Sequence, residues 1–332
     1  MRWITSLILA LLLLGCSSEE APRRKRANEP STLRIAEQHG LAYLPLAVMQ
    51  ITGLLEEELA EHASAEAEWI RTGNATMIRE AMLSGRLDIG FMGVPPFLIG
   101  LDRGTDWRLI TGLSDAPLGL ITTEPDYSSL QDIEPADRIA LPQPGSIQHI
   151  LLAMAAEREF GDPRRFDDQL VSMGHPEGLS ALLSGRDVTA HFTSPPYLFR
   201  ALDHPEGRLL LDGEEAFGGR FTFIVGVVAP DWAEDPENEL LLEAFLRALE
   251  EGIARSRSLQ ESLAEGEEAP ELLSELSEFY ELEETALRRQ LSYPGMVYSR
   301  EIRGLEEFID RMDRYGYVDA DALPDPWSDA VE

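Results

Sequence analysis

A repeated helix–turn–strand segment constrains the fold of this chain more than any other feature. Residues 81–86 read AMLSGR and residues 181–186 read ALLSGR, while PPFL at 95–98 recurs as PPYL at 195–198. Over the 18 aligned positions of 81–98 and 181–198 eight residues are identical, and Arg34-Ile35-Ala36 matches Arg138-Ile139-Ala140. Common helix–turn–strand chemistry could explain a shorter match, but here several elements recur in the same order. The repeat therefore predicts two lobes of similar build.

Short apolar runs alternate with helical patterns between residues 33 and 103. The apolar runs predict strands at 33–36, 66–70 and 88–92. The intervening segments have the periodicity of amphipathic helices at 44–59, 75–84 and 96–103. Such alternation predicts an α/β fold with a largely parallel sheet.

The final third of the chain has a different pattern. A strand predicted at 221–228 precedes helical periodicity at 239–253, 271–291 and 300–315. We interpret this part as a return to the first lobe followed by a C-terminal helical cover. The predicted organisation is lobe 1 at 33–122, lobe 2 at 123–220 and the return at 221–332, with crossings near Ile121–Glu124 and Arg220–Val225.

The N-terminus has the pattern of an exported lipoprotein. Residues 1–15 read as a signal peptide, because a basic residue precedes an apolar run too short to span a bilayer. The run ends in Leu14-Gly15-Cys16, which resembles a bacterial lipobox and predicts acylation of Cys16. An ordinary secretory signal with a chance cysteine is the alternative. Residues 16–32 read as a flexible tether, whose basic cluster at 23–26 either contacts anionic lipid or is simply solvated.

Composition excludes several classes of function. The formal net charge of −32 argues against nucleic-acid binding. Cys16 is the only cysteine, so an acylated chain has no catalytic thiol, disulfide or cysteine-based zinc site. The sequence contains no HExxH motif, Gly-x-Ser-x-Gly elbow or phosphate-loop lysine. We therefore predict no cofactor, no metal and no catalytic residue.

The turns that follow the predicted strands are the candidate ligand site, because ligands bind beyond the carboxyl ends of such strands. These turns are small, polar or glycine-bearing, and several open a helix whose unpaired N–H groups favour an anion. Plain helix capping explains any single turn, but the matched set in two lobes favours binding. The candidate ligand-binding residues are Gln38, His39, Thr72, Gly73, Asn74, Ala75, Gly93, Val94, Ser114, Gly145, Ser146, His175, His191, Thr193 and Ser194.

Within this set, Asn74 and Ser146 are expected to reach one ligand from opposite lobes. His191 follows a strand predicted at 187–190 and is expected near the other end of the ligand, although a structural role is the alternative. Tyr43, Trp69 and Trp107 are candidates for the walls of the cleft, yet large aromatic residues more often pack in a core.

Four stretches carry a family resemblance: LRIAEQHGLAYLPLAVM (33–49), SGRLDIGFMGVPPFLIGLDRG (84–104), DRIALPQPGSIQHILLAMAAE (137–157) and ALLSGRDVTAHFTSPPYLF (181–199). They resemble the nitrate/sulfonate/taurine-type solute-binding proteins of ABC importers over about residues 33–315. The motif at 84–90 is typical of the fold and does not identify a ligand.

The resemblance implies a type II periplasmic-binding-protein fold, with two α/β lobes that close around a ligand cleft. It also implies a monomeric, extracytoplasmic protein, anchored to a membrane by its lipid. Such a protein captures a small, anionic solute and delivers it to a membrane permease driven by a cytoplasmic ATPase. Enzymes of menaquinone or thiamine-pyrimidine biosynthesis share this fold and form one alternative, against which the lipobox argues. An anchored ligand sensor is the other.

Overall fold

Two β-sheets organise residues 31–266 and 271–324, which are the part of the chain that the computed structural model describes. The predicted signal peptide, Cys16 and almost all of the tether lie outside the described residues. The strands are β1 (Ser31–Gln38), β2 (Ala65–Thr72), β3 (Ile89–Gly93), β4 (Arg108–Asp115), β5 (Gly119–Thr122), β6 (Ile139–Leu141), β7 (Leu170–Ser172), β8 (Ala190–Thr193), β9 (Arg208–Asp212), β10 (Ile224–Val228) and β11 (Val297–Tyr298).

Helices cover the sheets. They are α1 (Leu44–Thr52), α2 (Leu54–His62), α3 (Ala75–Leu83), α4 (Val94–Asp102), α5 (Ile147–Phe160), α6 (His175–Leu183), α7 (Tyr197–Leu202), α8 (Gly213–Phe217), α9 (Pro230–Ala233), α10 (Pro236–Glu265), α11 (Glu271–Tyr280), α12 (Glu284–Leu291) and α13 (Leu305–Arg314). No helix in the described ranges is long and apolar enough to cross a membrane.

The two sheets have corresponding strand orders, as the repeat predicts. The first is ordered β11-β4-β10-β3-β1-β2 and the second β7-β6-β8-β5-β9. In the first sheet Ile35 pairs with Ile89 in parallel, and in the second Ile139 pairs with Ala190 in the same way. In each sheet the strand that follows this unit in the strand order runs antiparallel to it: β10 against β3, and β5 against β8. The helices α3 and α6 lie at equivalent places in the repeat, which therefore encodes one βαβ unit in each lobe.

The motif at 84–90 joins a turn to the first strand. Asp88 is 2% exposed, and its Oδ2 accepts hydrogen bonds from the backbone N (2.8 Å) and the Nε (3.0 Å) of Arg34. Its Oδ1 accepts from Arg34 Nη2 at 2.8 Å. Gly85 adopts a left-handed φ of 65°, which lets the chain turn sharply after α3. These contacts explain why the motif reports the fold and not the ligand.

Two helices predicted as continuous are interrupted. The segment predicted as one helix at 44–59 divides into α1 and α2 at Gly53, whose φ of 71° ends the first helix. The segment predicted at 271–291 divides into α11 and α12 near Glu281, which has a positive φ of 51°. Apolar periodicity continues across both breaks, so the hydrophobic pattern does not show them.

The chain changes sheets slightly earlier than expected. Gly119–Thr122, which forms β5, pairs with β8 and β9 in the second sheet. The first crossing therefore lies at 116–118 and not near Ile121–Glu124. The return runs through 218–223 to β10. This agrees with the predicted Arg220–Val225 except that Ile224 and Val225 already pair in the first sheet.

The C-terminal third covers lobe 1 and reaches lobe 2. The long helix α10 packs on α1 and α2, and Gly252 permits this, since a Cβ there would lie 2.9 Å from the Pro45 carbonyl oxygen. Helix α13 packs on α4 of lobe 1. The residues after it contact lobe 2, where the Tyr315 hydroxyl donates to Glu157 Oε2 at 2.7 Å.

Candidate ligand site between the two lobes

A central cavity lies where the carboxyl ends of strands from both sheets face each other. Six of the predicted residues line it: Gln38, His39, Ala75, Gly93, Ser146 and His175. Four come from lobe 1 and two from lobe 2, so the cavity is shared between the lobes. Phe223 and Ile224 of the return crossing complete one wall.

Four helices begin at this central cavity. Its lining includes first-turn or capping residues of α3 (Ala75), α4 (Gly93), α5 (Ser146) and α6 (His175). Helix N-termini carry about half a positive charge each in unpaired N–H groups. None of the described residues that line the cavity is Asp, Glu, Lys or Arg. The positive potential there therefore comes from backbone dipoles, a setting that favours an anion.

His175 contributes a neutral ring. It is 7% exposed, its Nδ1 lies 2.9 Å from Thr193 Oγ1, and its ring stacks on Tyr197 at 5.8 Å between centroids. Burial, helped by His39, lowers the pKa of His175 to about 3. Burial also lowers the pKa of His39, to which Arg71 contributes. At neutral pH His175 is therefore an uncharged hydrogen-bonding group.

His191 lies behind His175 and not at the cavity. It is 0% exposed, and neither ring nitrogen has a hydrogen-bond partner among the described residues. A Cβ on Gly178 of α6 would stand 2.6 Å from its Nε2, so the ring packs directly against that helix. His191 thus has a buried structural position outside the lining of the central cavity, and its contact with a ligand stays a prediction.

Several other predicted site residues have structural roles or positions in the fold. Asn74 Oδ1 accepts from the Met77 backbone N at 3.2 Å, which caps α3. The Val94 N donates to the Phe223 carbonyl at 3.3 Å. Ser114 is 1% exposed and its Oγ has no partner among the described residues. The predicted residues absent from the lining of the central cavity and of the two cavities beside it are Thr72, Gly73, Asn74, Val94, Ser114, His191, Thr193 and Ser194.

Direct hydrogen bonds join the lobes around the central cavity. The Leu41 backbone N donates to the Pro195 carbonyl at 2.9 Å. The backbone N and the hydroxyl of Thr76 both donate to Gln143 Oε1 at 3.0 Å. The cavity encloses about 20 Å³ of free space, room for about one water molecule.

Two larger cavities open on either side of the central one. The first, the arginine cavity, has a volume of about 440 Å³ and is lined by Arg79, Arg103 and Arg164 together with His149, Asp167 and Tyr317. It also takes in Gly145, the remaining predicted residue, whose N–H donates to His149 Nδ1 at 2.9 Å. The second, the balanced cavity, has a volume of about 240 Å³ and is lined by Glu37, Arg71, Arg200 and Glu281.

Sequence reasoning missed the glutamines of the second lobe. Gln143 and Gln148 both line the central cavity, and Gln148 is 2% exposed. Gln143 lies in the turn after β6, two residues before Gly145, where position alone could have indicated it. Of the three candidate aromatic residues, Tyr43 lines the cavity while Trp107 is buried in the core. Trp69 lines none of the three cavities, and its Nε1 donates to Glu56 Oε1 at 3.3 Å.

Comparison with known proteins gives a match at the level of fold. No protein-family model matches the chain, and no curated protein matches it. Among solved structures, the alkanesulfonate-binding protein SsuA from Xanthomonas axonopodis pv. citri, bound to MOPS, superposes with a TM-score of 0.69. The two sequences are 20% identical, over 90% of this chain and 96% of that one.

Two further structures are similar. The periplasmic nitrate-binding protein NrtA from Synechocystis PCC 6803 has a TM-score of 0.68 at 14% identity, over 91% of this chain and 88% of that one. A Candida albicans gene product described as having the generic periplasmic-binding-protein fold has a TM-score of 0.66 at 14% identity, over 87% and 91%. This chain has the periplasmic-binding-protein fold. The fold predicted from the sequence is confirmed, and the sulfonate- and nitrate-binding neighbours are of the type that its motifs resemble.

In this periplasmic-binding-protein fold, a buried carboxylate next to the first crossing forms ion pairs with an arginine of the return crossing and with another arginine. Asp115, at the end of β4, is 3% exposed, and its Oδ2 lies 3.4 Å from Arg220 Nη2 and 3.1 Å from Arg303 Nη1. Arg220 belongs to the return crossing, and Arg303 precedes α13. Burial raises the pKa of Asp115 above its ordinary value in spite of both guanidinium groups. The described residues contain no cluster of three His, Cys, Asp or Glu placed to hold a metal ion.

Proposed function

We propose that this chain is the extracytoplasmic solute-binding subunit of an ABC importer. The observation that carries the proposal is the central cavity, which both lobes line with the first turns of four helices. A site divided between two lobes suits a protein that holds a solute and releases it unchanged. The solved structures of similar fold include proteins described as binding alkanesulfonate and nitrate.

The solute class that best fits the central cavity is a small oxyanion, such as a sulfonate or nitrate. Helix N-termini and neutral donors surround the cavity, and neutral donors can bind an anion without desolvating a second full charge. The uncharged state of His175 agrees with this, because a neutral ring adds no full charge to the cavity lining.

Capture and delivery follow from the two-lobe design. A solute stabilises the closed arrangement only through contacts that the open arrangement lacks. Residues of the central cavity on opposite lobes, such as Gln38 and Ser146, supply such contacts. We propose that the closed form docks on a membrane permease, with a cytoplasmic ATPase supplying the energy, and that the chain acts as a lipid-anchored monomer.

The lipid anchor makes a prediction of its own. Cys16→Ser is expected to abolish acylation, because a serine hydroxyl cannot form the thioether-linked lipid. The variant should accumulate as precursor or leave the membrane fraction. Metabolic labelling with radioactive palmitate measures this directly. Label incorporated into the Cys16→Ser protein would show that residues 1–16 are not a lipoprotein signal.

Ligand binding is tested by a matched pair of cap substitutions. Ser146 Oγ accepts from the His149 N at 3.4 Å and Asn74 Oδ1 accepts from the Met77 N at 3.2 Å, so each caps one helix. Only Ser146 lines the central cavity. Ser146→Ala is expected to weaken binding about tenfold, the effect of one hydrogen bond to a charged group. Asn74→Ala should leave affinity unchanged.

Calorimetry with nitrate, taurine and short alkanesulfonates measures the affinities, and thermal melts monitor folding. Both variants should lose a similar stability, about 1 kcal/mol, because each removes one cap. Equal affinity of the two variants for a bound anion would place the site elsewhere.

Turnover of a solute by the purified protein would favour the alternative of an enzyme with this fold. Binding without a partner permease encoded nearby would favour the anchored sensor.

A further inference from the structure

The arginine cavity carries an excess of positive charge in a strongly acidic protein. Its lining contains three guanidinium groups, Arg79, Arg103 and Arg164, and one carboxylate, Asp167, which leaves a net charge of two positive. The whole chain has a formal net charge of −32. The balanced cavity on the other side shows the contrast, since its two arginines face two glutamates. Cationic character is therefore specific to one side of the cleft.

Two of the three arginines have no side-chain partner among the described residues. Most described arginines pair with a carboxylate or a carbonyl, but no hydrogen bond or ion pair of the Arg79 and Arg103 side chains occurs within the described ranges. Arg164 is different, because its Nη1 lies 3.2 Å from Asp167 Oδ2 and its Nη2 donates to the Tyr315 carbonyl at 2.9 Å. Arg79 and Arg103 thus supply two free guanidinium groups from lobe 1, opposite a fixed arginine from lobe 2.

The Asp167 carboxylate is already engaged on its own side. Its Oδ1 lies 2.9 Å from His149 Nε2, while His149 Nδ1 accepts from the Gly145 N–H. The Tyr317 hydroxyl lies 3.2 Å from the same Nε2. The pKa of Asp167 is lowered by its hydrogen bond to His149 and by Arg164, which outweigh its burial. Asp167 therefore neutralises Arg164 and not the two arginines of lobe 1.

The arginine cavity is continuous with the central cavity. Ala75, Pro96 and Gln143 line both. Thr76, which lines the arginine cavity, donates to Gln143, and this hydrogen bond joins the two lobes and must open when the lobes separate. A solute admitted between the lobes therefore meets both cavities at once.

We propose that the solute is an elongated dianion. One acidic group occupies the central cavity at the helix N-termini, and the second lies in the arginine cavity against Arg79 and Arg103. Since it names the solute class of that same site, this inference rests on the proposed function. Guanidinium groups are suited to sulfonate, carboxylate and phosphate oxygens because their donors match two oxygens at once.

The test compares monoanions and dianions of matched length. Calorimetry on the full chain measures binding of ethane-, propane- and butanesulfonate and of the corresponding α,ω-disulfonates. The best disulfonate is expected to bind about tenfold more tightly than its monosulfonate, as for one added charge-assisted contact. The Arg79→Ala, Arg103→Ala double variant should lose this preference and keep its affinity for the monosulfonate. Added salt should reduce the preference in the parent protein.

The matched control is Arg186→Ala. Arg186 is exposed, lines none of the three cavities and also has no side-chain partner among the described residues. This variant removes one positive charge and should keep the preference. Equal binding of mono- and disulfonates to the parent, or a preference that survives in the double variant, would overturn the dianion inference alone. Failure of every monosulfonate and disulfonate to bind would instead overturn the oxyanion site on which it rests.

Discussion

Acidification from pH 7 to pH 5 is expected to cost the native state about 2 kcal/mol of unfolding free energy for each of two buried histidines, about 4 kcal/mol together. His175 and His191 are 7% and 0% exposed. Burial lowers the pKa of both, with a further contribution from His39 to His175 and from His175 to His191.

The direction follows from proton binding. In the unfolded chain both rings take up a proton as the pH falls through about 6.5. In the folded chain they stay neutral, to about pH 3 in the case of His175. The unfolded state therefore binds more protons, and the contribution to stability is complete above the unfolded pKa and declines below it. Glu37 and Asp115 act oppositely, because burial raises the pKa of each on folding.

A variant separates the histidines from these carboxyl groups. His191→Leu replaces the imidazole ring, whose two nitrogens have no hydrogen-bond partner among the described residues, with an apolar side chain of similar volume. At pH 7 the change should be neutral or stabilising by about 1 kcal/mol. The decline between pH 7 and pH 5 should shrink by about 2 kcal/mol relative to the parent. Urea denaturation at both pH values measures it, and an unchanged decline would show that His191 titrates normally in the folded protein.

The same variant tests the position of His191. Because the ring lies behind His175 and against Gly178, His191→Leu should keep the affinity for a bound anion. A large loss of affinity in a folded His191→Leu protein would restore the direct contact that the sequence led us to expect.

The second large effect is expected at the turn motif. Asp88→Asn should lower the free energy of unfolding by about 3 kcal/mol, the scale of hydrogen bonds to a charged group, with the partial exposure of Arg34 taken into account. Both carboxylate oxygens of Asp88 accept hydrogen bonds from Arg34. Asparagine removes the negative charge and replaces one of these acceptor oxygens with an NH2 group. Asp88 lines none of the three cavities, so the affinity for an anion should not change.

Asp187→Asn is the matched control, since Asp187 occupies the corresponding turn in lobe 2. It is exposed and has a left-handed φ of 65°, which asparagine tolerates well. Chemical denaturation of both variants should show a loss only for Asp88→Asn. Similar stabilities for the two would mean that the Arg34 pair contributes little.

The position of His191 could not be predicted from the sequence, because it depends on the bounds of one strand. The predicted strand at 187–190 placed this residue in the turn that follows, whereas β8 runs from Ala190 to Thr193 and includes it. Side chains alternate between the faces of a strand, so a small shift of its bounds moves a residue from a rim to a buried face. The local sequence does not distinguish a strand at 187–190 from one at 190–193, because Gly185 and Asp187 can end the preceding helix in both cases.

The sequence by itself determined the alternation of strands and helices, the duplicated βαβ unit, and the turns that open α3, α4, α5 and α6. These depend on local chemistry: apolar periodicity, capping residues and glycine. Only the tertiary structure decided that Ala75 and Ser146 line one cavity while Asn74, which caps α3, does not line it. It also decided that Thr76 donates to Gln143 across the lobes, and that Arg79 and Arg103 share a cavity with Arg164. Those relations join residues far apart in the chain, and their distances follow from how the two sheets pack and not from any pattern within a single segment.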